Sequence, residues 1–307
     1  LNATFGNATE LIIALLALRA GLQEVVKASL TGSIIGNILL VLGLAMFIGG
    51  VRRDKQVFNQ TSAGASAAML FLAVVALVLP AVFDLSVFGT LAPGGREVER
   101  LSLLVAVVLF AIYIASLVFS LVTHKELLAP DEEHLKEGEH HARAWSTRSA
   151  VIVLLVATSL TAFAAEMLVG AIESATKTLG WTELFVGVIV VAVIGNAAEH
   201  FSAILFAAQN KMEVAMQIAI GSSTQIALLI APLLVFASYL FGTPMSLVFN
   251  PFEIVAIALA TLIVTIVALD GESNWFEGLQ LLAVYVMMAI AFYFVPEHVP
   301  TAPAPQQ

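Results

Sequence analysis

The phrase GNATE at residues 6–10 returns as GNAAE at residues 195–199. A second phrase follows each copy, GSIIGN at 32–37 and GSSTQI at 221–226, and both offsets are 189 residues (195 − 6 and 221 − 32). Residues 1–40 align with 190–229 without a gap, which indicates a duplicated module. Each module carries one acidic residue, Glu10 or Glu199, inside apolar sequence, where an unpaired charge is costly.

Composition places the chain in a lipid bilayer. Of its 307 residues, 60% are hydrophobic and 11% are charged, and the mean hydropathy is +0.99. A soluble surface needs more polar residues, so we expect an integral, multi-pass membrane protein. The absence of cysteine excludes disulfides and thiolate-ligated metals. A net charge of −9 without a basic stripe predicts no nucleic-acid partner, and no motif calls for a cofactor.

Apolar segments of membrane-crossing length recur along the chain. The predicted spans are 1–20, 25–50, 62–83, 101–123, 147–174, 182–208, 213–240, 250–269 and 275–296. The span at 182–208 is longer than a straight crossing needs, which predicts a tilted or interrupted helix.

The two modules differ in what precedes their first phrase. About one and a half helices stand ahead of the phrase in the second module, so we expect the N-terminal part of the first repeat to be missing from this chain. Five helices per repeat is an odd number, which places the repeats in opposite orientations. The predicted fold is therefore an all-α polytopic membrane protein with two inverted-topology repeats of five transmembrane helices. Its parts are a first repeat (1–124), an acidic, His-containing linker (125–146), a second repeat (147–296) and a Pro-rich tail (297–307).

Lysine and arginine counts favour one orientation. Eight lie on the side of the inter-repeat linker and five on the other, so we expect the linker to be cytoplasmic, in the plasma (inner) membrane if the source is prokaryotic. The linker is interpreted either as a regulatory, Ca²⁺-attracting segment or as a solvated connection without EF-hand spacing. Its acidic residues are Asp131, Glu132, Glu133, Glu137 and Glu139.

Glu10 and Glu199 are the candidate cation and proton ligands. Two facing carboxylates in a low dielectric cannot both be ionised unless a cation lies between them. An empty site should therefore bind protons, and a divalent cation should displace them. The neutral oxygens of the second phrases are ligands that Ca²⁺ prefers, although Gly and Ser also serve helix packing.

Further polar residues around these phrases are candidates to line an ion pathway. His200 follows Glu199, and adjacent helical residues point about 100° apart, so a supporting, proton-relay or purely structural role is expected rather than a ligand role. Glu166 lies in the middle of a span, whereas Glu253 is expected to cap a helix. The pathway candidates are Asn7, Asn196, Gly32, Ser33, Asn37, Gly221, Ser222, Ser223, Gln225, His200 and Glu166.

The paired phrases GNATE and GNAAEH, with GSIIGN and GSSTQIAL, resemble the cation/proton exchangers, the Ca²⁺/H⁺ antiporter branch of the Ca²⁺/cation antiporter superfamily. The resemblance covers nearly the whole chain. It implies ten core helices in two inverted repeats, with Glu10 and Glu199 as ligands of the transported ion. It also implies a pathway lined by Asn7, Asn196, Ser33, Ser222 and Gln225.

The expected function is exchange of Ca²⁺ for H⁺ by alternating access, with both substrates competing for the paired glutamates. A Na⁺-driven Ca²⁺ exchanger of the same superfamily is the alternative, but such exchangers are expected to carry an aspartate phrase where this chain has GSSTQ. An intramembrane metal-dependent enzyme is a remote alternative, because no HExxH motif occurs. The sequence leaves the oligomeric state open.

Overall fold

The computed structural model describes residues 6–89, 95–123 and 146–296. The acidic residues of the linker and the Pro-rich tail lie outside these ranges. The described residues form ten helices and one two-residue strand pair, β1 (Gln56–Val57) with β2 (Glu272–Ser273), which run antiparallel. The helices are α1 (Ala8–Arg19), α2 (Gln23–Gly50), α3 (Gln60–Phe88), α4 (Arg96–Thr123), α5 (Thr147–Leu179), α6 (Glu183–Gly195), α7 (Ala197–Ala208), α8 (Met212–Leu240), α9 (Pro251–Val267) and α10 (Trp275–Phe294).

The helices confirm an all-α, multi-pass membrane protein. Six of the described helices are long and apolar enough to cross a membrane, and there are seven crossings if the bent pair α6 and α7 counts as one span. Helices α3, α4 and α5 extend beyond the predicted spans by up to a turn or more at their ends. Helix α9 is an apolar helix of 17 residues, shorter than the predicted span at 250–269.

The predicted interruption of the span at 182–208 is confirmed. Helices α6 and α7 meet at an angle of 59°, and the break falls at Asn196. Asn7 occupies the same position ahead of α1, with similar backbone angles (φ −93°, ψ 28°, against φ −91°, ψ 7° at Asn196). Helices α1 and α7 are therefore equivalent half-helices, 12 residues each and offset by 189 positions. Each begins where an asparagine leaves the helical path.

The two half-helices run in opposite directions. At one face of the molecule, Gln23 beside the end of α1 donates to the carbonyl of Thr243 in the loop after α8. At the other face, strands β1 and β2 pair and Arg53 donates to the carbonyl of Ala208 at the end of α7. We call these the α1 face and the α7 face. Because α1 and α7 leave the interior toward opposite faces, the repeats have inverted topology.

Helices α2 and α8 form the buried centre, and the lipid-facing helices α4 and α5 surround them. Both central helices contain a π-helical turn that begins at the end of the second phrase, at Gly36–Val41 and Ile226–Ile230. Such turns interrupt the regular helical ladder and are frequent at functional sites. Helix α2 also approaches α6 closely, because a Cβ at Gly32 would lie 2.0 Å from the carbonyl oxygen of Val188. Gly32 therefore has the helix-packing role that the sequence analysis left open.

Candidate cation site

The repeated phrases meet where α1 and α7 begin against the middle of α2 and α8. Two asparagine–serine pairs join the repeats there. Asn196 Nδ2 donates to Ser33 Oγ at 2.9 Å, and Ser222 Oγ lies 2.6 Å from Asn7 Oδ1. All four side chains are buried. Each pair takes its asparagine from one repeat and its serine from the other, so the site exists only between the repeats.

Two further amides break the symmetry of this arrangement. Asn37 Nδ2 donates to Ser222 Oγ at 3.0 Å and lies 3.4 Å from Asn196 Oδ1, so it connects both pairs. Gln225 Oε1 accepts from Asn7 Nδ2 at 3.0 Å. At the offset of 189, the counterparts of Asn37 and Gln225 are Ile226 and Gly36, which offer no polar side chain. The polar network is thus richer on the side of Asn7 and Ser222.

The two carboxyl groups lie at this network. Glu199 Oε2 is 2.5 Å from Ser222 Oγ. Glu10 is 8% exposed, and its Oε2 atom finds no hydrogen-bond partner among the described residues. A Cβ at Gly195, one residue before the break, would lie 3.8 Å from Glu10 Cγ, so Glu10 rests against the end of α6. The two acidic groups are close enough for their charges to repel.

The single hydrogen of Ser222 limits how its contacts can be satisfied at one time. Ser222 Oγ is in short contact with two oxygens, Asn7 Oδ1 at 2.6 Å and Glu199 Oε2 at 2.5 Å, and it also accepts from Asn37. A hydroxyl has one hydrogen, and each short oxygen–oxygen contact needs one. The amide oxygen of Asn7 carries none, because the Nδ2 group of the same side chain donates to Gln225. When Glu199 is ionised, Ser222 donates to its carboxylate; when Glu199 is protonated, it can donate to Ser222 while Ser222 donates to Asn7.

The helix ends also favour charged groups here. Helices α1 and α7 both begin at the site, and a helix N-terminus carries a partial positive charge that stabilises a nearby carboxylate. Glu10 and Glu199 lie in these first turns. The same two groups can thus hold hydrogens when the site is empty and carry negative charge when a cation binds between them.

The remaining predicted residues are placed differently. Ser223 is fully buried, and its hydroxyl donates to the carbonyls of Ala219 and Ile34, so it belongs to helix packing. Gly221 and Gln225 border a cavity of about 280 Å³ between α3, α4 and α8. Glu166 lies on the exposed surface of α5 and is not brought to the other candidates.

His200 and Glu253 were expected in supporting roles. His200 Nε2 is buried without a hydrogen-bond partner among the described residues, next to Glu199. Glu253 forms the expected helix cap, because its Oε2 atom accepts from the backbone N–H of Asn250 at 2.8 Å. Within the described ranges, no three His, Cys, Asp or Glu side chains converge as a metal site. A cation between Glu10 and Glu199 therefore needs neutral oxygens as additional ligands.

Comparison with known proteins agrees with this geometry. The sequence profile of the family described as "Sodium/calcium exchanger protein" matches residues 1–122 and 149–294. The chain belongs to this family. The Ca²⁺/H⁺ antiporter ChaA of Bacillus subtilis is 46% identical over 96% of this chain and 82% of its own length. The Ca²⁺/H⁺ antiporter of Aphanothece halophytica is 45% identical over 96% of this chain and 81% of its own length. These relatives confirm the resemblance drawn from the repeated phrases and place the chain among transporters, not enzymes.

Solved structures extend the agreement to the fold. The structure of native YfkE matches with a TM-score of 0.80 at 43% identity, over 96% of this chain and 82% of that one. The H⁺/Ca²⁺ exchanger CAX matches with a TM-score of 0.63 at 18% identity, over 94% of this chain and 73% of that one, which shows a shared fold. Inverted repeats of helices fit this family of membrane exchangers.

Proposed function

We propose that this protein is a secondary active transporter that exchanges Ca²⁺ for H⁺ by alternating access, with both ions competing for Glu10 and Glu199. The contact of 2.5 Å between Glu199 Oε2 and Ser222 Oγ, beside the second buried carboxyl group, that of Glu10, is the observation that carries the proposal. The curated relatives named as Ca²⁺/H⁺ antiporters support the same pair of substrates.

The proposed exchange follows from charge and ligand count. Ca²⁺ takes six to eight oxygen ligands. The two carboxyl groups offer four oxygens, and Ser222, Asn7 and Asn37, which are joined to Glu199 by hydrogen bonds through Ser222, are neutral groups that can complete the shell. When Ca²⁺ binds, Glu199 and Glu10 release their hydrogens, and Ser222 becomes free to donate to a carboxylate or to contact the ion. Two carboxylates balance one divalent cation, so the proposed ratio is one Ca²⁺ for two protons.

Alternating access is proposed from the direction of the half-helices. Helix α1 leads from the site to the α1 face and α7 leads to the α7 face, so a path along either half-helix reaches a different side of the membrane. We propose that the α7 face, to which the inter-repeat linker returns, is cytoplasmic, because most lysines and arginines lie there. The linker itself is then a solvated cytoplasmic connection between two transmembrane repeats.

Calcium flux into proteoliposomes tests the proposal. We expect ⁴⁵Ca²⁺ uptake when an outward H⁺ gradient is imposed and none with an outward Na⁺ gradient alone. Glu199→Gln should abolish uptake, since the amide cannot supply charge to the cation. Glu173→Gln is the matched control, because Glu173 pairs with Lys177 on the exposed surface of α5 and should leave uptake unchanged. Uptake that follows the Na⁺ gradient would favour the Na⁺-driven alternative, and uptake by Glu199→Gln would refute the site.

A further inference from the structure

Two side chains from the segment that joins α2 to α3 hold the C-terminal end of α7. Arg53 Nη2 donates to the carbonyl of Ala208 at 3.0 Å, and Arg53 Nη1 donates to the carbonyl of Gly49 at 2.5 Å. Gln56 Nε2 donates to the carbonyl of Ala207 at 3.0 Å. One guanidinium and one amide therefore bridge the last turns of α2 and α7.

The chemistry of helix ends explains why the side chains of Arg53 and Gln56 bind strongly to the last carbonyls of α2 and α7. The last carbonyls of a helix have no partner within the helix and form its negative end. Here the ends of two helices, one from each repeat, meet at Arg53. The planar, forked guanidinium binds two acceptors at once, and its charge strengthens both hydrogen bonds.

Gln56 is itself held in place. Its side chain is 1% exposed, and a Cβ at Gly49 would lie 2.4 Å from Gln56 Oε1, so the amide rests on bare backbone at the end of α2. Its backbone pairs with Ser273 in the β1–β2 ladder. Gln56 is therefore fixed by two other elements before it reaches the carbonyl of Ala207.

The second repeat has no equivalent of this contact. At the offset of 189, the counterparts of Arg53 and Gln56 are Gly242 and Met245 (53 + 189 and 56 + 189), and neither side chain has a hydrogen to donate. The two donors thus act on the half-helix that carries Glu199, whereas at the other face Gln23 beside α1 donates to the carbonyl of Thr243.

We propose that Arg53 and Gln56 are positioning residues that clamp the C-terminal end of α7 to that of α2. Helix α7 is separated from α6 by the break at Asn196, so no continuous helix fixes its orientation at that end. Glu199 lies in its first turn, and α2 carries Ser33 and Asn37. The clamp therefore sets the position of Glu199 relative to the oxygens of the other repeat.

The chain contains no cysteine, which makes the clamp directly measurable. Cysteines introduced at Val51 and Gln209, exposed positions after α2 and α7, carry nitroxide labels for electron paramagnetic resonance. Arg53→Gln removes the charged fork, and Gln56→Met introduces the residue that the second repeat has at this position. We expect both changes to broaden the distance distribution between the labels.

The effect on transport separates positioning from folding. We expect Arg53→Gln and Gln56→Met to raise the KM for Ca²⁺ roughly tenfold, in line with the loss of one charge-assisted or buried hydrogen bond, while the maximal rate per folded molecule changes little. Arg53→Lys keeps the charge but not the forked guanidinium, so its KM for Ca²⁺ should lie between those of the wild type and Arg53→Gln. Arg52→Gln is the matched control, because Arg52 is the exposed neighbour with the same charge, and it should change neither measurement.

Two results would overturn the clamp. One is a wild-type KM and a narrow label distance in both variants, with only the yield of folded protein reduced. The other is a rise in KM for Arg52→Gln as large as for Arg53→Gln, which would assign the effect to surface charge. The KM measurement rests on the proposed exchange function, but the label distances are measured without substrate. If the protein moved no Ca²⁺, the proposed function would fail, but the label distances would still show whether Arg53 and Gln56 hold the end of α7 against that of α2.

Discussion

Replacing Ser222 by alanine should destabilise the cation-free protein more than the same change at its repeat counterpart, Ser33. The hydroxyl of Ser222 joins Glu199 at 2.5 Å, Asn7 at 2.6 Å and Asn37 at 3.0 Å. Its removal takes away three hydrogen bonds and leaves the buried oxygen of Asn7 without a donor. At about 1 kcal/mol per hydrogen bond, we expect a loss of about 2–4 kcal/mol.

Ser33→Ala is the internal control. Ser33 Oγ accepts only from Asn196 Nδ2 among the described hydrogen bonds, and that amide keeps its second bond, at 2.8 Å, to the carbonyl of Ala192. The expected loss is about 1 kcal/mol. Both substitutions remove one buried hydroxyl from a central helix at an equivalent depth. The difference between them therefore reports the network around Ser222 rather than the loss of volume.

Thermal unfolding of purified protein in detergent, without Ca²⁺ and at mildly acidic pH, measures this difference. The midpoint of Ser222→Ala should fall at least twice as far as that of Ser33→Ala. Equal shifts, or a larger shift for Ser33→Ala, would contradict the central place of Ser222 in the polar network.

Three further outcomes are expected. Under the proposed ratio of two protons for one Ca²⁺, the KM for Ca²⁺ should rise as the pH falls, approaching roughly a hundredfold per pH unit in the acidic limit, and a slope near zero in flux assays would exclude competition. Gly278→Ala should prevent correct packing of α10 on α2, since its Cβ would lie 2.5 Å from the backbone nitrogen of Phe47, and size-exclusion chromatography in detergent should show aggregation instead of a single peak. Lys27→Met should lower stability by about 2 kcal/mol, because Lys27 is 3% exposed and its Nζ atom donates to the carbonyl of Val248 at 3.0 Å and pairs with Glu24 at 2.6 Å, whereas Lys177→Met at an exposed pair should leave the unfolding midpoint unchanged.

The arrangement of the helices along the chain could be predicted from the sequence alone, because it depends on local sequence features. The repeated phrase located both half-helices, and the excess length of the span at 182–208 predicted a tilted or interrupted helix but not the position of the break. The lengths of the apolar segments predicted the membrane crossings. In lipid, the backbone must form its hydrogen bonds within the helix, and the helix must be long enough to span the hydrocarbon layer.

Side-chain direction could not be predicted in the same way. Ser222 and Ser223 are adjacent in one phrase, but Ser222 joins the polar network and Ser223 bonds the backbone of α8 and α2. A helix that is apolar on every side gives no polarity contrast from which its rotation could be inferred. The bridging role of Asn37 depends on that rotation too, and so does the exposed position of Glu166. The anchoring contacts of Arg53 depend on tertiary packing between repeats, for which its charge alone gave no signal.

The opposed half-helices have a consequence for membrane voltage. A charge that crosses the whole membrane gains about 2.3 kcal/mol per 100 mV. A half-helix with about half a charge at each end, spanning half the field, therefore gains about 0.6 kcal/mol per 100 mV. Helices α1 and α7 both place their positive ends at the centre and their negative ends at opposite faces, so their two contributions cancel. The electric field then exerts no net force on the paired half-helices, so in the proposed exchange their dipoles add no voltage dependence to the reorientation of the site.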